Sequence, residues 1–252
     1  MQRYFLGEDY AQKEPYELVG NAFHHAAHVM RMTTGQSCYL SFSDQITIVA
    51  EVTEILEDKV LLKEIGKEEM TKEMPYDVTI ACGYTKGDKL EWVAQKATEL
   101  GMTGLIGFPA KASVVKWDSK KLEKKQPRLE KIVQEAAEQS HRQLVPRISL
   151  LPTFQALIEE IVAYDIVLVA YEESAKKGEQ TQLVKSLQGI AQNQRVLVIF
   201  GPEGGVMPEE IEKLQATGAK LCALGPRILR AETAPLYLLS AMSYQWELLK
   251  GY

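Results

Sequence analysis

Little in this chain is suited to holding a metal or a disulfide. There are 3 cysteines, Cys38, Cys82 and Cys222, and 4 histidines in 252 residues. An odd, widely spaced set excludes a disulfide framework and any Cys-x-x-Cys metal site, so the cysteines read as small buried hydrophobes. His24 and His28 stand at i, i+4, a spacing that zinc sites use, but no third ligand is near and no metal is expected. No apolar run approaches the roughly 18 residues of a membrane span. "MQRYFLGEDY" turns acidic before a signal-peptide core could form, which makes the cytoplasm the expected compartment. Phosphate-loop chemistry is missing too: neither Gly-Lys-Ser/Thr nor Gly-x-Gly-x-x-Gly occurs after a strand-like segment, which argues against a nucleotide-dependent α/β enzyme. Gly 17 and Pro 10 are too few for a collagen-like or low-complexity chain.

What is present is ample for a core. Hydrophobic residues make up 46% of the chain and charged residues 25%, as in an ordinary globular protein of one large or two modest domains. The net charge of -5 taken alone argues against a polyanionic partner, since nucleic acid is bound through clustered Lys and Arg. The charge is unevenly spread. Between Lys111 and Arg147 stand ten Lys or Arg against five Asp or Glu, a local +5, leaving about -10 for the rest. That asymmetry predicts one basic face on an acidic body.

Two rhythms follow one another along the chain. Up to about residue 74 the segments are short and β-rich: "YELVG", "QSCYLSF", "QITIVAEVTEI" and "KVLLKEIG" read as strands of a small barrel or sandwich. One helical insert, "NAFHHAAHVMRM", interrupts them with Asn21 as N-cap. Past "GKEEMTKEM" and Pro75, apolar strands alternate with amphipathic helices. The strands are "DVTIACGY", "TGLIGFPA", "PRISLLP", "DIVLVAY", "RVLVIFG" and "AKLCALG"; the helices begin near Gly87, Ser119, Thr153, Thr181, Pro208 and Thr233. Near-continuous apolar strands with intervening helices predict a mostly parallel sheet covered on both faces. The expected domains are 1–74 and 75–252.

In open α/β sheets the ligand crevice lies at the carboxyl ends of the strands. Three predicted strand ends carry unusual residues: "VAYEE" (169–173), "FGPEGG" (200–205) and "LGPRILRAETA" (224–234). The second is a glycine-rich turn feeding a helix with Pro208 at its start and Gly218 as its stop. Glycines there allow backbone to approach a flat or bulky ligand closely, and Glu203 favours a neutral or cationic ligand over phosphate. The third places Arg227 and Arg230 before a helix announced by Thr233 as N-cap, with Pro235 just inside. An ordinary tight turn and a surface Arg230–Glu232 ion pair are the plainer readings of these two stretches.

"GPEGG" followed by "LGPRILRAETA", with "KGDKLEWVAQKATELG" and "EAAEQSHR" upstream and "MQRYF" and "HHAAHVMRM" near the start, resembles the bacterial RsmE-type enzymes. These are small-subunit ribosomal RNA uridine-N3 methyltransferases of the SPOUT superfamily. The similarity runs over both halves, with two departures: "GGVMPEE" lacks the commoner aromatic after the second glycine, and Pro235 replaces a small helix former. The resemblance implies an α/β fold: a PUA-like β-barrel for RNA recognition, then a mostly parallel SPOUT sheet with a C-terminal trefoil knot. It implies S-adenosylmethionine as methyl donor, a homodimer, and ribosomal RNA or the small ribosomal subunit as partner. Carried over residue by residue, the cofactor cleft maps to Ala170, Tyr171 and Glu172, to Gly201, Pro202, Glu203, Gly204 and Gly205, to Leu224, Gly225, Ile228 and Leu229, and to Thr233 and Ala234.

Methyl transfer from a sulfonium needs an in-line nucleophile and positioned reactants, and no metal. Uridine N3 is a poor nucleophile until its proton is lost, and a forked guanidinium can stabilise the resulting charge. Arg230 is expected in that role, organised by Arg227 or Glu232, with Glu203, Glu232 or solvent taking the proton. For RNA contact the expected residues are Arg3, His25 and Arg31 on the small domain and Lys86, Lys89 and Arg142 on the larger one. The competing expectation is a non-catalytic RNA-binding assembly factor with the same fold.

Overall fold

The computed structural model describes residues 1–172, 182–191 and 194–249 in two compact units. Thr181, where a helix was expected to begin, and Glu173 of the first strand-end stretch lie outside the described residues. The first unit comprises Met1–Glu73 together with Ala137–Val145, and the second Met74–Ala136 with Pro146–Tyr252.

In the first unit five strands form one sheet in the order β1-β3-β4-β5-β2. They are β1 (Arg3–Phe5), β2 (Tyr16–Val19), β3 (Ser37–Ser41), β4 (Thr47–Ile55) and β5 (Lys59–Lys67). Pairing is antiparallel except between β1 and β3. Alternating burial in β2 and β5 directs Tyr16, Leu18, Val60 and Leu62 inward, where they meet Leu40, Phe42, Ile48 and Val52. Register shifts at Val49/Ala50 and Val52/Glu54 bend the long β4–β5 ribbon, as bulges do in small barrels. β1 escapes sequence reading because three residues carry no period and its partner lies 36 positions away, Arg3 opposite Tyr39. Helix α1 (Gly20–His24) continues as a wider turn over His25–Val29. It opens one residue before Asn21, with Val19 at the cap and no side-chain cap bond, because Gly20 at φ +57 already turns the chain out of β2.

Two arginines expected to face RNA are instead internal to this unit. Arg3 is 1% exposed and donates from Nη1 to Ser41 Oγ (2.8 Å) and Thr47 Oγ1 (3.2 Å), and from Nη2 to Glu68 Oε2 (2.7 Å). Its guanidinium also sits 4.7 Å from the centre of the Tyr39 ring. Arg142 is 2% exposed and donates from Nε to Glu73 Oε2 at 2.8 Å, while Glu73 Oε1 accepts the Gln143 backbone N–H at 2.7 Å. The physical reason is the cost of an unpaired buried charge: the Glu68 and Glu73 side chains are 7% and 8% exposed, each needs a cation with several donors, and arginine meets that need.

The second unit is built on a six-stranded sheet, all pairs parallel, in the order β11-β9-β10-β6-β7-β8. The strands are β6 (Asp77–Gly83), β7 (Gly104–Phe108), β8 (Arg147–Leu150), β9 (Ile166–Ala170), β10 (Arg195–Phe200) and β11 (Lys220–Cys222). Every residue of β7 and all but the first of β6 and β10 are buried, the pattern of strands covered on both faces. The helices are α2 (Lys89–Glu99), α3 (Ser119–Gln139), α4 (Phe154–Glu160), α5 (Gln182–Gln188), α6 (Pro208–Ala216) and α7 (Ala234–Ser243). The last three residues of α3 group with the first unit. Pro208 opens α6, the Glu210 carboxylate accepts the Met207 N–H at 3.0 Å, and Gly218 at φ +93 ends it, as the sequence predicts. Thr233 does occupy the cap position of α7, but without a side-chain cap bond. Its backbone is already helical (φ -88, ψ -36), and the Arg230 carbonyl accepts the N–H groups of Thr233 and Ala234.

Candidate active site

Register brings the site together. Ala170, Phe200 and Cys222 are paired across β9, β10 and β11, and Cys82 pairs with Phe200, so four parallel strands end at one height. The segments that follow therefore emerge on the same edge of the sheet, as expected of a ligand crevice. A cavity of about 540 Å³ opens there, lined by Ala170–Glu172, the turn Gly201–Val206, Ile228–Glu232 and Lys89. It adjoins a second space of about 220 Å³ whose walls are Leu224, Gly225, Pro226, Arg227, Ile228, Leu229 and Ala234, and which shares the Ala170–Glu172 edge. Of the residues expected to hold a cofactor, only Thr233 lines neither space. The structure adds Lys89, Val206, Pro226 and Ala231 to them.

Packing inside the wall constrains the glycines that were expected to admit a ligand. A Cβ on Gly201 would lie 2.8 Å from the Gly205 carbonyl carbon, and one on Gly204 would lie 2.8 Å from both Cβ and O of Ala112. Gly205 has φ +75 and donates to the Pro202 carbonyl at 2.8 Å. The turn is thus folded tightly on itself and against the loop after β7, and packing within the wall already demands glycine there.

Electrostatically the cleft has a paired side and an open side. Lys89, at the first position of α2, donates from Nζ to Glu203 Oε1 at 2.9 Å and lies 3.5 Å from Glu232 Oε2. Glu203 Oε1 also accepts the Lys86 backbone N–H at 3.3 Å. Burial pushes the Glu203 carboxyl up, but the Lys89 ammonium and the backbone N–H groups outweigh it and hold Glu203 below the ordinary carboxylate range. The Lys89 ammonium is raised, chiefly by its hydrogen bond to Glu203. Glu232 Oε2 is buried and makes no hydrogen bond among the described residues. The plain Arg230–Glu232 pair is therefore absent: Glu232 turns to Lys89. Arg227 and Arg230 are both exposed, and neither guanidinium has an ion-pair partner among the described residues.

Lys89, expected to contact RNA, belongs to the cleft. Nothing in the sequence marks this, since its carboxylate partner stands 114 positions away. Lys86 is exposed beside it. In the first unit His25 is half-buried, with Nδ1 3.2 Å from the Tyr4 hydroxyl, and Arg31 is exposed at φ +51. Among the described residues no group of three or more His, Cys, Asp or Glu could hold a metal ion, and no helix is long and apolar enough to cross a membrane.

Comparison with known proteins agrees with this geometry. Residues 72–243 match the RNA methyltransferase domain family and residues 18–65 the RNA methyltransferase PUA domain family. The chain is 44% identical over 254 residues to the ribosomal RNA small subunit methyltransferase E of Bacillus subtilis, covering 100% of this chain and 99% of that one. A Legionella pneumophila structure described as a methyltransferase in complex with its bound cofactor SAM superposes with a TM-score of 0.81 at 27% identity, over 96% of this chain and 97% of that one. A ribosomal RNA small subunit methyltransferase E from Neisseria gonorrhoeae, bound to S-adenosyl methionine, shares the fold with a TM-score of 0.82 at 23% identity, over 98% of each chain. The PUA-like mixed sheet, the parallel α/β sheet and the crevice at its strand ends thus belong together: the chain is a member of the small-subunit ribosomal RNA methyltransferase E family of RNA methyltransferases.

Proposed function

We propose that this protein transfers a methyl group from S-adenosylmethionine to N3 of one uridine in small-subunit ribosomal RNA, acting as a cytoplasmic homodimer. The observation that carries the reading is the cleft itself, where three strand ends converge on a space lined by Arg230, which has no ion-pair partner among the described residues.

The residues present suit the donor. Leu224, Ile228, Leu229 and Ala234 offer an apolar slot for a flat heterocycle, and Glu172 and Glu203 place negative charge beside a cationic ligand. When bound, S-adenosylmethionine supplies the electrophilic methyl group. Arg230 binds the uracil edge and stabilises the charge that develops over N3 and its flanking carbonyl oxygens as the N3 proton leaves. Arg227, exposed on the same loop, steadies that loop against the incoming nucleotide. Glu232 is assigned as proton acceptor because its Oε2 is buried and accepts no hydrogen bond among the described residues. Glu203 is the weaker base, since the contacts that lower its carboxyl also lower its affinity for a proton. Lys89 bridges the two carboxylates, 2.9 Å from Glu203 Oε1 and 3.5 Å from Glu232 Oε2.

Exposed Tyr237, Tyr244 and Leu248 on and just after α7 support a self-association surface. The trefoil knot implied by the resemblance remains part of this proposal, as does a role for His25, Arg31 and Lys86 in RNA contact. Arg3 and Arg142 are left out of it because they are buried. Calorimetry with S-adenosylmethionine, ATP and NAD, followed by mass mapping of ribosomal RNA from cells with and without the gene, tests the reading. Heat with the first ligand alone and loss of one methylated uridine are expected. A protein that binds RNA but not the donor would be the non-catalytic assembly factor.

A further inference from the structure

The basic excess seen in the sequence is concentrated at one edge of the second unit. Lys116, Lys120, Lys121 and Lys124 are all exposed on the segment that leads into α3 and on its first turns. The cations around them are matched: Lys111 by Glu209, Lys125 and Arg128 by the two oxygens of Glu91 at 2.6 and 2.7 Å, and Lys131 by Glu135 at 3.7 Å. Lys116, Lys120 and Lys124 have no ion-pair partner among the described residues, and the Lys121 ammonium faces only the Trp117 ring, 5.8 Å from its centre. Two acids lie within the stretch, and neither forms an ion pair with these lysines among the described residues. Asp118 Oδ1 accepts the Lys121 backbone N–H at 2.9 Å, and Glu123 is exposed without a cation partner among the described residues.

This charge works against the helix that carries it. α3 has no acidic residue within its first turn, so only the Asp118 carboxylate just before it answers the positive end of the helix dipole where Lys120 and Lys121 stand. Lys120 with Lys124, and Lys121 with Lys125, are like charges at i, i+4. An anion laid along this edge relieves both penalties. The segment also begins at the cleft: Ala112 packs on Gly204, and the Lys111 N–H donates to Glu210 Oε1 at 2.9 Å, just beyond the glycine turn. Between cleft and lysines lies Val114, 69% exposed, an apolar rest for a ribose or base.

We propose that Lys116, Lys120, Lys121 and Lys124 form a phosphate-binding track for the RNA strand that flanks the target nucleotide. The proposal rests on the reading of the chain as an RNA methyltransferase and adds the surface that carries the backbone. The test uses the full-length protein and the variant K116Q/K120Q/K121Q/K124Q. Binding to protein-free small-subunit ribosomal RNA and to small-subunit particles is measured across a salt series, together with methylation kinetics and donor affinity. Four lost phosphate contacts should reduce the slope of log K against log salt by about 3. KM for RNA should rise at least about tenfold, with kcat within about twofold, and donor affinity should be unchanged, which also reports that the variant is folded.

An unchanged slope in the variant overturns the track while leaving methyl transfer intact. A wild-type protein with a lysine-dependent slope but no methyl transfer leaves the track standing and removes the catalytic reading. Lysine dependence with intact particles but not with protein-free RNA would assign the surface to a protein partner and overturn the phosphate track, as would a wild-type protein that binds neither RNA.

Discussion

Replacing Arg3 with alanine leaves the Glu68 carboxylate enclosed without its main cation. The wild-type guanidinium makes hydrogen bonds to Ser41, Thr47 and Glu68, and the Glu68 side chain is 7% exposed. After the substitution Glu68 keeps, among the described residues, only Lys72 at 3.8 Å and a weak contact from Gln143 at 3.4 Å. Removing one partner of a buried pair costs about 3–5 kcal/mol, because the remaining charge stays out of water. At about 1.4 kcal/mol per factor of ten, the folding equilibrium of the first unit falls by at least about a hundredfold. The double variant Arg3→Met/Glu68→Leu removes both charges and should recover most of that loss. Urea denaturation followed by far-UV circular dichroism measures both variants. A cost below about 1 kcal/mol for Arg3→Ala would mean that Arg3 is accessible to solvent and that the expectation of RNA contact deserves to be reinstated. Equal losses in the single and double variants would show that the hydrogen bonds to Ser41 and Thr47, rather than charge pairing, hold the strands.

Arg230→Ala should lower the methylation rate by about a hundredfold or more while donor affinity by calorimetry stays near wild type; a wild-type rate would remove Arg230 from the chemistry. Gly204→Ala should cost about 1–3 kcal/mol through the 2.8 Å approach to Ala112, and adding Ala112→Gly should restore only part of it, since the carbonyl contact remains. Lys89→Met should let burial dominate at Glu203 and raise its titration, read by NMR; no upward movement would show that the backbone N–H groups alone hold it down. The His141 imidazole is lowered by burial and then by the nearby Arg3 charge. Its unfolded form therefore binds the proton more readily, so the stability it contributes is present above its ordinary range near 6.5 and is lost as pH falls from there through the folded value. His141→Asn, which suits φ +58, should flatten stability against pH in that window, and an unchanged profile would assign the titration elsewhere.

Much of the second unit was legible in the residue pattern. Strands with unbroken apolar character, Pro208 at the start of α6 and Gly218 at its end lie where the sequence predicts them, because each depends on neighbours within a few positions. The strand ends bearing "FGPEGG" and "LGPRILRAETA" were legible as a site for a related reason: a parallel sheet places all its carboxyl ends on one edge, so chemistry placed there must converge. The first unit shows the limit. Arg3 and Arg142 looked like surface cations because nothing local distinguishes an arginine that pairs with a buried glutamate from one that meets solvent. Their partners lie 65 and 69 positions away.

Residue pattern alone sets the alternation of strands and helices, the caps and stops of α6, and the three turns from which the cleft is made. Which charges stay free to act follows from long-range packing. It enclosed Arg3 and Arg142, drew Lys89 between Glu203 and Glu232, and left Arg227 and Arg230 without partners among the described residues. The reason is that periodicity and capping are short-range, whereas the solvation of a charge depends on every element that closes around it.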